Sequence, residues 1–372
     1  MSRPGYSFYE FFAGGGMARQ GLGEGWDCLF ANDFDPLKAA AYRDNFGDAD
    51  LVAADVWTLK PEQLPRRADL VWASSPCQDF SLAGARAGLA GGRSSALLGL
   101  WSLMEGLCAE GRAPRTLVIE NVTGLLSARG GTDFAALLDK MAGAGYRYGA
   151  VEIDAAAFVP QSRPRIFVVA TRESTTAREA RAAGAPFHSQ AIQRAYAALP
   201  AALKASWVWW RLPTPPLRNT SLAEVLEADA PWSSSEDTGR LLALMSPLHR
   251  ARLAGGEPRV GAAYRRIRVE QGRRLQRAEA RFDGLAGCLR TPAGGSSRQF
   301  LLRTDGVEVR SRLLTPREGA RLMGLPDSYR LPKGSTAAWR VVGDGVAAPV
   351  VRWLAAHLLE PLLAETAKAR AA

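Results

Sequence analysis

Cysteine is scarce in this 372-residue chain: Cys28, Cys77, Cys108 and Cys288 stand far apart, with no C-x-x-C pair and no histidine nearby. That scatter argues against a zinc site or a disulfide framework and fits a reducing compartment. No run of about 18 apolar residues occurs, which speaks against a membrane-spanning helix. The start, Met1-Ser2-Arg3-Pro4-Gly5-Tyr6, lacks the apolar core of a signal peptide. Self-similarity at periods of about 20–50 residues is missing too, so a repeat architecture is not expected. With 47% hydrophobic and 23% charged residues, the chain is an ordinary globular one rather than a disordered one. Its length suits one large domain and a smaller one. The net charge of +10 and pI of about 9.8 favour a polyanionic partner. Nearly all of that charge is arginine in an Ala- and Gly-rich chain, a bias that a GC-rich genome also produces, so charge alone identifies nothing.

The first 172 residues alternate short apolar runs with helical spacing. Strands are expected at Ser7–Ala13, Cys28–Asn32, Leu51–Ala53, Asp69–Ala73, Thr116–Glu120, Tyr148–Ile153 and Arg165–Ala170. Helices are expected between them, among others at Pro36–Asn45, Ala96–Glu110 and Asp133–Ala144. Such alternation predicts an α/β fold with a doubly wound, mostly parallel sheet. From about residue 173 the regularity gives way to an Ala-rich stretch, the run Trp207-Val208-Trp209-Trp210, a Pro-rich turn and arginine clusters, which reads as a separate, smaller and irregular module. Its three tryptophans are expected to form its small core. An amphipathic helix over about Pro349–Leu363 is expected to pack back on the first domain.

Several residues could carry chemistry. Phe12-Ala13-Gly14-Gly15-Gly16 runs from a strand into a helix, and glycines there let the backbone approach a nucleotide-like ligand. Asp33 and Asp55 end the next two strands, where carboxylates can meet ribose hydroxyls and an adenine amine. The same turn also suits a dinucleotide, and glycine turns are often only turns. Ser75-Pro76-Cys77-Gln78-Asp79-Phe80-Ser81 lies at the carboxyl end of the Asp69–Ala73 strand, where open parallel sheets bind ligands. A thiol there can attack as thiolate, although a lone cysteine is ordinarily just a buried one. Glu120-Asn121-Val122 closes another parallel strand at that edge, and a partly buried glutamate can hold a proton near neutral pH. Gln161-Ser162-Arg163-Pro164-Arg165 then brings two arginines towards the same edge.

In order and spacing these motifs closely resemble the cytosine-5 DNA methyltransferase family. The resemblance continues through Leu314-Thr315-Pro316-Arg317-Glu318, Arg321-Leu322-Met323-Gly324-Leu325-Pro326-Asp327 and Gly343-Asp344-Gly345-Val346. It covers roughly residues 6–172 and 287–358. It implies an S-adenosylmethionine-dependent methyltransferase with a Rossmann-like sheet, whose product is S-adenosylhomocysteine. Cys77 would add to C6 of a flipped cytosine, Glu120 would bind N3 and the exocyclic amine, and Arg165 with Arg163 would hold the O2 side. Phe12, Gly14, Gly16, Asp33, Phe34, Asp55 and Asp344 would line the donor site, Phe34 against adenine. Asp33 stands where the family has glutamate, Ser75 where it commonly has proline, and Asp344 where it has asparagine; Asp344 either repels the donor's carboxylate or caps the following helix. Residues 78–95 resemble the mobile loop that closes over the base.

The resemblance assigns 1–172 with 335–372 to the catalytic domain and 173–334 to target recognition. The arginine-dense stretch Arg250–Arg281 suits phosphate and guanine contacts, or else a solvated helix face. Gln78, Ser81, Arg290, Ser297 and Arg298 are the expected DNA-contacting residues. The partner is double-stranded DNA, with no metal and no membrane, for a monomer in the cytoplasm at the nucleoid. A companion restriction endonuclease fits but is not required for activity. An RNA-directed homologue would carry a shorter recognition region, and an NAD-dependent oxidoreductase would not need Cys77, Glu120 and two arginines together.

Overall fold

The structure is a computed structural model and describes residues 5–76, 96–254, 257–291 and 298–364. Two compact units emerge, one of Met1–Ile153, Pro164–Pro215 and Val350–Ala372, the other of Asp154–Arg163 and Pro216–Pro349.

The first unit is built on seven strands: β1 (Tyr6–Phe11), β2 (Trp26–Asn32), β3 (Leu51–Val52), β4 (Leu70–Ser74), β5 (Thr116–Asn121), β6 (Arg147–Asp154) and β7 (Pro164–Thr171). Their order is β3-β2-β1-β4-β5-β7-β6. Strands β1 to β5 pair in parallel, whereas β7 runs antiparallel to β5. The alternation predicted the parallel part; side-chain periodicity carries no information on strand direction, so the reversed β7 escaped it. Strand β5 is buried along its whole length, as expected for a central strand covered on both faces. Helices α1 (Met17–Leu22), α2 (Pro36–Phe46), α3 (Ala96–Ala109) and α4 (Thr132–Gly143) follow β1, β2, β4 and β5. Helix α3 buries Leu97, Leu100, Trp101, Met104 and Leu107 at helical spacing, each worth about 2 kcal/mol against exposure. The chain steps from β1 to β2 on one side and returns to β4 on the other. The carboxyl ends of β1 and β4 therefore diverge, and a ligand crevice opens there in folds of this kind.

Residues 173–215 belong to this first unit, not to the second. Trp207 packs edge-on against Phe134 and Tyr148 and sits in the main core. The Val208 amide donates to Tyr148 O at 2.6 Å, and Trp210 is 1% exposed. The tryptophans are thus an extension of the parallel-sheet core rather than a core for the other module. Two-residue strands β8 (Glu179–Ala180) and β9 (Trp209–Trp210) pair beside helices α5 (Gln190–Ala198) and α6 (Ala201–Ala205).

The second unit is more regular than its sequence suggested. After helices α7 (Ser235–Ala243) and α8 (Pro247–Ala251) come β10 (Arg259–Glu270), β11 (Arg273–Arg281), β12 (Gln299–Thr304) and β13 (Val309–Leu313). They form an antiparallel sheet in the order β11-β10-β12-β13 over a small core of Leu241, Met245, Ala263, Ala278, Ala280 and Leu302. Arginines at alternate and adjacent positions hid the two-residue period. Strand β10 pairs with β12 only over Arg259–Tyr264 but with β11 out to Glu270. The outer half is therefore a two-stranded ribbon, closed by Gln271 (φ 48°) and Gly272 (φ 75°), the backbone signature of a tight hairpin. From Arg259 onward the arginine-dense stretch is strands β10 and β11, whereas Arg250 lies in the last turn of α8 and Arg252 is its C-cap. Helices α9 (Pro316–Leu322), α10 (Ser335–Asp344) and α11 (Ala348–Leu354) complete the chain, α11 running on into a π turn over Ala355–Leu359. Ser335–Ala364 is long and apolar enough to cross a membrane by composition alone, but its most apolar stretch is 67% buried in the protein, as core helices are.

Candidate active site

At the end of β1 the backbone turns sharply. Phe12 and Gly14 have φ of 56° and 58°, and Gly16 has 77°. A Cβ on Gly16 would lie 2.4 Å from the Phe46 ring, so only glycine fits between this turn and α2. At Gly14 a Cβ would meet nothing within 4 Å; that side of the turn is open. Asp33, 6% exposed, accepts the Gly14 amide at 2.8 Å and the Asp35 amide at 2.8 Å. Burial raises its pKa, against the pull of those amides and of Lys38. Asp33 thus locks the glycine turn to the end of β2, with a lone pair left on each oxygen. Next to it Phe34 stands 58% exposed, an unusual position for a large apolar ring. Asn32 donates to Val52 O and Ala54 O at 2.9 and 2.8 Å, bringing β3 and the exposed Asp55 alongside. Asp55 accepts the Trp57 amide at 3.1 Å.

One strand pair further on, Glu120 lies opposite Ser74 in the β4–β5 register. It is 5% exposed and forms an ion pair with Arg165 Nε at 3.1 Å. Beside it Asn121 donates to Ser75 O at 3.1 Å and to Ser75 Oγ at 3.0 Å, while its own Oδ1 accepts the Val122 amide. The last described residues before Pro76-Cys77 are therefore fastened to the strand that presents the acid. The Ser75 side chain, where the family commonly has proline, supplies one of those two acceptors. Cys77, Gln78, Ser81, the 78–95 loop and Ser297 lie outside the described residues.

Arg163 is placed quite differently from Arg165. It is 2% exposed and donates to Leu289 O at 2.8 Å, Gly343 O at 3.2 Å and Gly345 O at 2.6 Å, all within the second unit. Its terminal nitrogens thus satisfy three backbone carbonyls, as buried acceptors require. Gln161, fully buried, bridges Leu322 O and the Leu289 amide. The exposed carboxylate of Asp344 accepts from Thr291 Oγ1. The contact is enforced by Gly343, where a Cβ would lie 2.4 Å from Thr291 N. Arg290 is exposed beside it, and Arg298 half-buried.

Sequence reasoning also passed over Glu10. It is 1% exposed, one oxygen accepts the Arg19 amide at 3.4 Å, and Oε2 has no hydrogen-bond partner among the described residues. Burial pushes its pKa up to about 8. A lone carboxylate in the apolar run Tyr9-Glu10-Phe11-Phe12 was the available signal.

The family model for C-5 cytosine-specific DNA methylase matches residues 6–360. The chain is 26% identical to the Type II methyltransferase M.NlaX of Neisseria lactamica over 365 residues, covering 96% of this chain and 98% of that one. With M.HhaI of Haemophilus parahaemolyticus the identity is 24% over 358 residues, covering 95% and 94%. The solved Dnmt2 methyltransferase of S. pombe has the same fold, with a TM-score of 0.63 at 18% identity over 96% of this chain and 99% of that one. Since one family model spans all but the ends of the sequence, the chain belongs to the C-5 cytosine-specific DNA methylase family and is a DNA cytosine-5 methyltransferase.

Proposed function

We propose that this chain methylates cytosine at a specific DNA sequence, through a covalent adduct between Cys77 and C6 of a cytosine flipped out of the duplex. The observation that carries the reading is the Glu120–Arg165 pair at 3.1 Å, set beside an Asn121 that holds Ser75, two residues before Cys77. Family membership implies S-adenosylmethionine as donor, which when bound supplies an electrophilic methyl group. The open side of Gly14, the exposed Phe34 ring and the buried Asp33 fit an adenosyl group: ring against ring, ribose hydroxyls against carboxylate. Asp55 is within the same loop cluster for the adenine amine.

Cytosine C5 is too poor a nucleophile to take a methyl group unaided. Addition of the Cys77 thiolate to C6 makes C5 enamine-like. Glu120, as the acid, hydrogen-bonds N3 and the exocyclic amine and neutralises the charge that develops there. Arg165 keeps Glu120 in place and faces the O2 side. Once C5 has been methylated, a base takes the C5 proton and elimination restores the thiolate. Arg163 in this reading holds residues 288–289 and 343–345 together and does not touch the base. Sequence is read by the second unit: its arginine ribbon supplies phosphate contacts, and Arg290, Ser297, Arg298, Gln78 and Ser81 are the residues assigned to contact the DNA. Asp344 fixes Thr291 at the start of that segment and leaves the donor alone. The protein acts as a monomer at the nucleoid, with or without a companion endonuclease.

The test is a duplex carrying 5-fluorocytosine in the target, mixed with donor and enzyme. A denaturant-stable protein–DNA complex is expected with the parent and none with Cys77→Ala. A complex that persists in Cys77→Ala would remove the nucleophile. The target itself is found by bisulfite sequencing of DNA from expressing cells, and methyl label on RNA alone would overturn the DNA assignment.

A further inference from the structure

Helix α1 has no side-chain cap at Gly16, yet it holds the glycine turn through one residue. Arg19 gives its backbone amide to Glu10 Oε1 at 3.4 Å. Its guanidinium donates to Tyr42 OH at 2.8 Å on α2 and to Asp50 Oδ2 at 3.0 Å just before β3. The same guanidinium lies 5.0 Å from the Phe46 ring centre and 5.6 Å from that of Tyr42. Those two rings are the wall against which Gly16 is pressed. One half-buried arginine therefore joins the turn of residues 12–16, the helix that follows Asp33-Phe34, and the strand that leads to Asp55. These are the three segments assigned above to the donor, and none of these bonds reaches the Glu120–Arg165 edge.

We infer that Arg19 is a positioning residue for the methyl donor, setting donor affinity through Phe46 and Tyr42 without touching the reacting atoms. The inference rests on the donor site proposed above. A guanidinium is suited to the task because its plane stacks on two rings while its edge serves two acceptors; a lysine ammonium can keep the charge but not both. Losing a charge-assisted bridge of this kind costs about a tenfold change in an equilibrium constant.

Calorimetry of S-adenosylmethionine binding to the full chain, paired with steady-state kinetics, tests it. For Arg19→Gln the donor Kd and KM are expected to rise about tenfold, with kcat and the KM for DNA within about twofold of the parent. Arg19→Lys should recover about half of that loss on a logarithmic scale, and Tyr42→Phe, which removes only a hydroxyl, should raise the donor Kd about threefold. A merely structural arginine would lower the unfolding temperature in all three variants and leave the donor Kd unchanged; that result overturns the inference. Should Arg19→Gln fail to fold, Arg19→Lys and Tyr42→Phe decide by the same criterion. A parent that binds no S-adenosylmethionine would instead refute the donor site itself and take the inference with it, whereas tight parent binding with unaltered variants refutes Arg19 alone.

Discussion

The carboxyl edge of the parallel sheet and the outer half of the arginine ribbon use the same side chain in opposite ways. At the edge, Arg165 and Glu120 pair with side chains only 14% and 7% exposed. Their mutual field is strong because little water screens it. On the ribbon, Arg266 and Arg268 share Glu279 but remain 53% and 51% exposed, and exposed pairs of this kind are worth at most about 1 kcal/mol. Beyond them Arg273 and Arg274 are exposed at the ribbon's tip, next to the turn. A reacting base needs charges fixed before it arrives; a phosphate backbone needs charges that can still be reached. Burial, not residue type, separates the two tasks.

The largest effect at the edge should come from Glu120→Gln. The variant keeps shape and a donor but gives up the carboxylate that pairs with Arg165, so methylation kcat is expected to fall by about 10²–10⁴-fold. Binding of duplex DNA in a gel shift should change by less than about threefold. Comparable losses in kcat and in DNA affinity would mean that Glu120 serves the fold rather than the reaction.

On the ribbon the pattern should invert. Replacing Arg273 and Arg274 together with alanine is expected to weaken DNA binding by about tenfold at moderate salt and to leave kcat at saturating DNA intact. The slope of log affinity against log salt should shrink by about 0.9 for each phosphate that is no longer neutralised. An unchanged salt slope would deny the ribbon its phosphate role. A smaller effect should follow at Asp344, which lies with the second unit's Thr291. Asp344→Ala should raise the KM for DNA about threefold while the donor Kd, read by calorimetry, stays within about twofold. Tighter donor binding in that variant would restore the repulsive role that its place in the motif first suggested.

Much of this was legible in the chain itself, for reasons that also mark where legibility stops. The strand ends of β1, β2, β4 and β5 fall within two residues of their expected positions; β2, β4 and β5 are apolar runs closed by a polar residue, and β1 runs into the glycine turn. Phe12–Gly16, Asp33 and Glu120 could be named because their chemistry is local to a strand end. Arg163 and Arg165 could not be told apart: they flank a single proline, and only long-range acceptors at 289 and 343–345 distinguish the structural one. Asn121 and Ser75 were visible as motif letters, but their bond joins positions 46 apart in sequence. The placement of 173–215 was missed for the same reason, as Trp207 finds its partners on β6 and α4. What sequence withholds is the choice of distant partner.

Glu10 extends the contrast to its quietest point, a buried acid kept neutral by its surroundings. Its folded-state pKa of about 8 lies above the ordinary 4.5, because burial disfavours the carboxylate more than the α1 amides and Arg19 stabilise it. The folded protein therefore keeps a proton that the unfolded chain releases. The stability this contributes is full below pH 4.5, declines as pH rises, and is gone above about 8. Between about pH 6.5 and 8.5 the unfolding temperature of the parent should drop by about 2–4 °C more than that of Glu10→Gln, whose amide cannot ionise. Equal slopes in the two proteins, followed by differential scanning calorimetry, would place the Glu10 proton elsewhere.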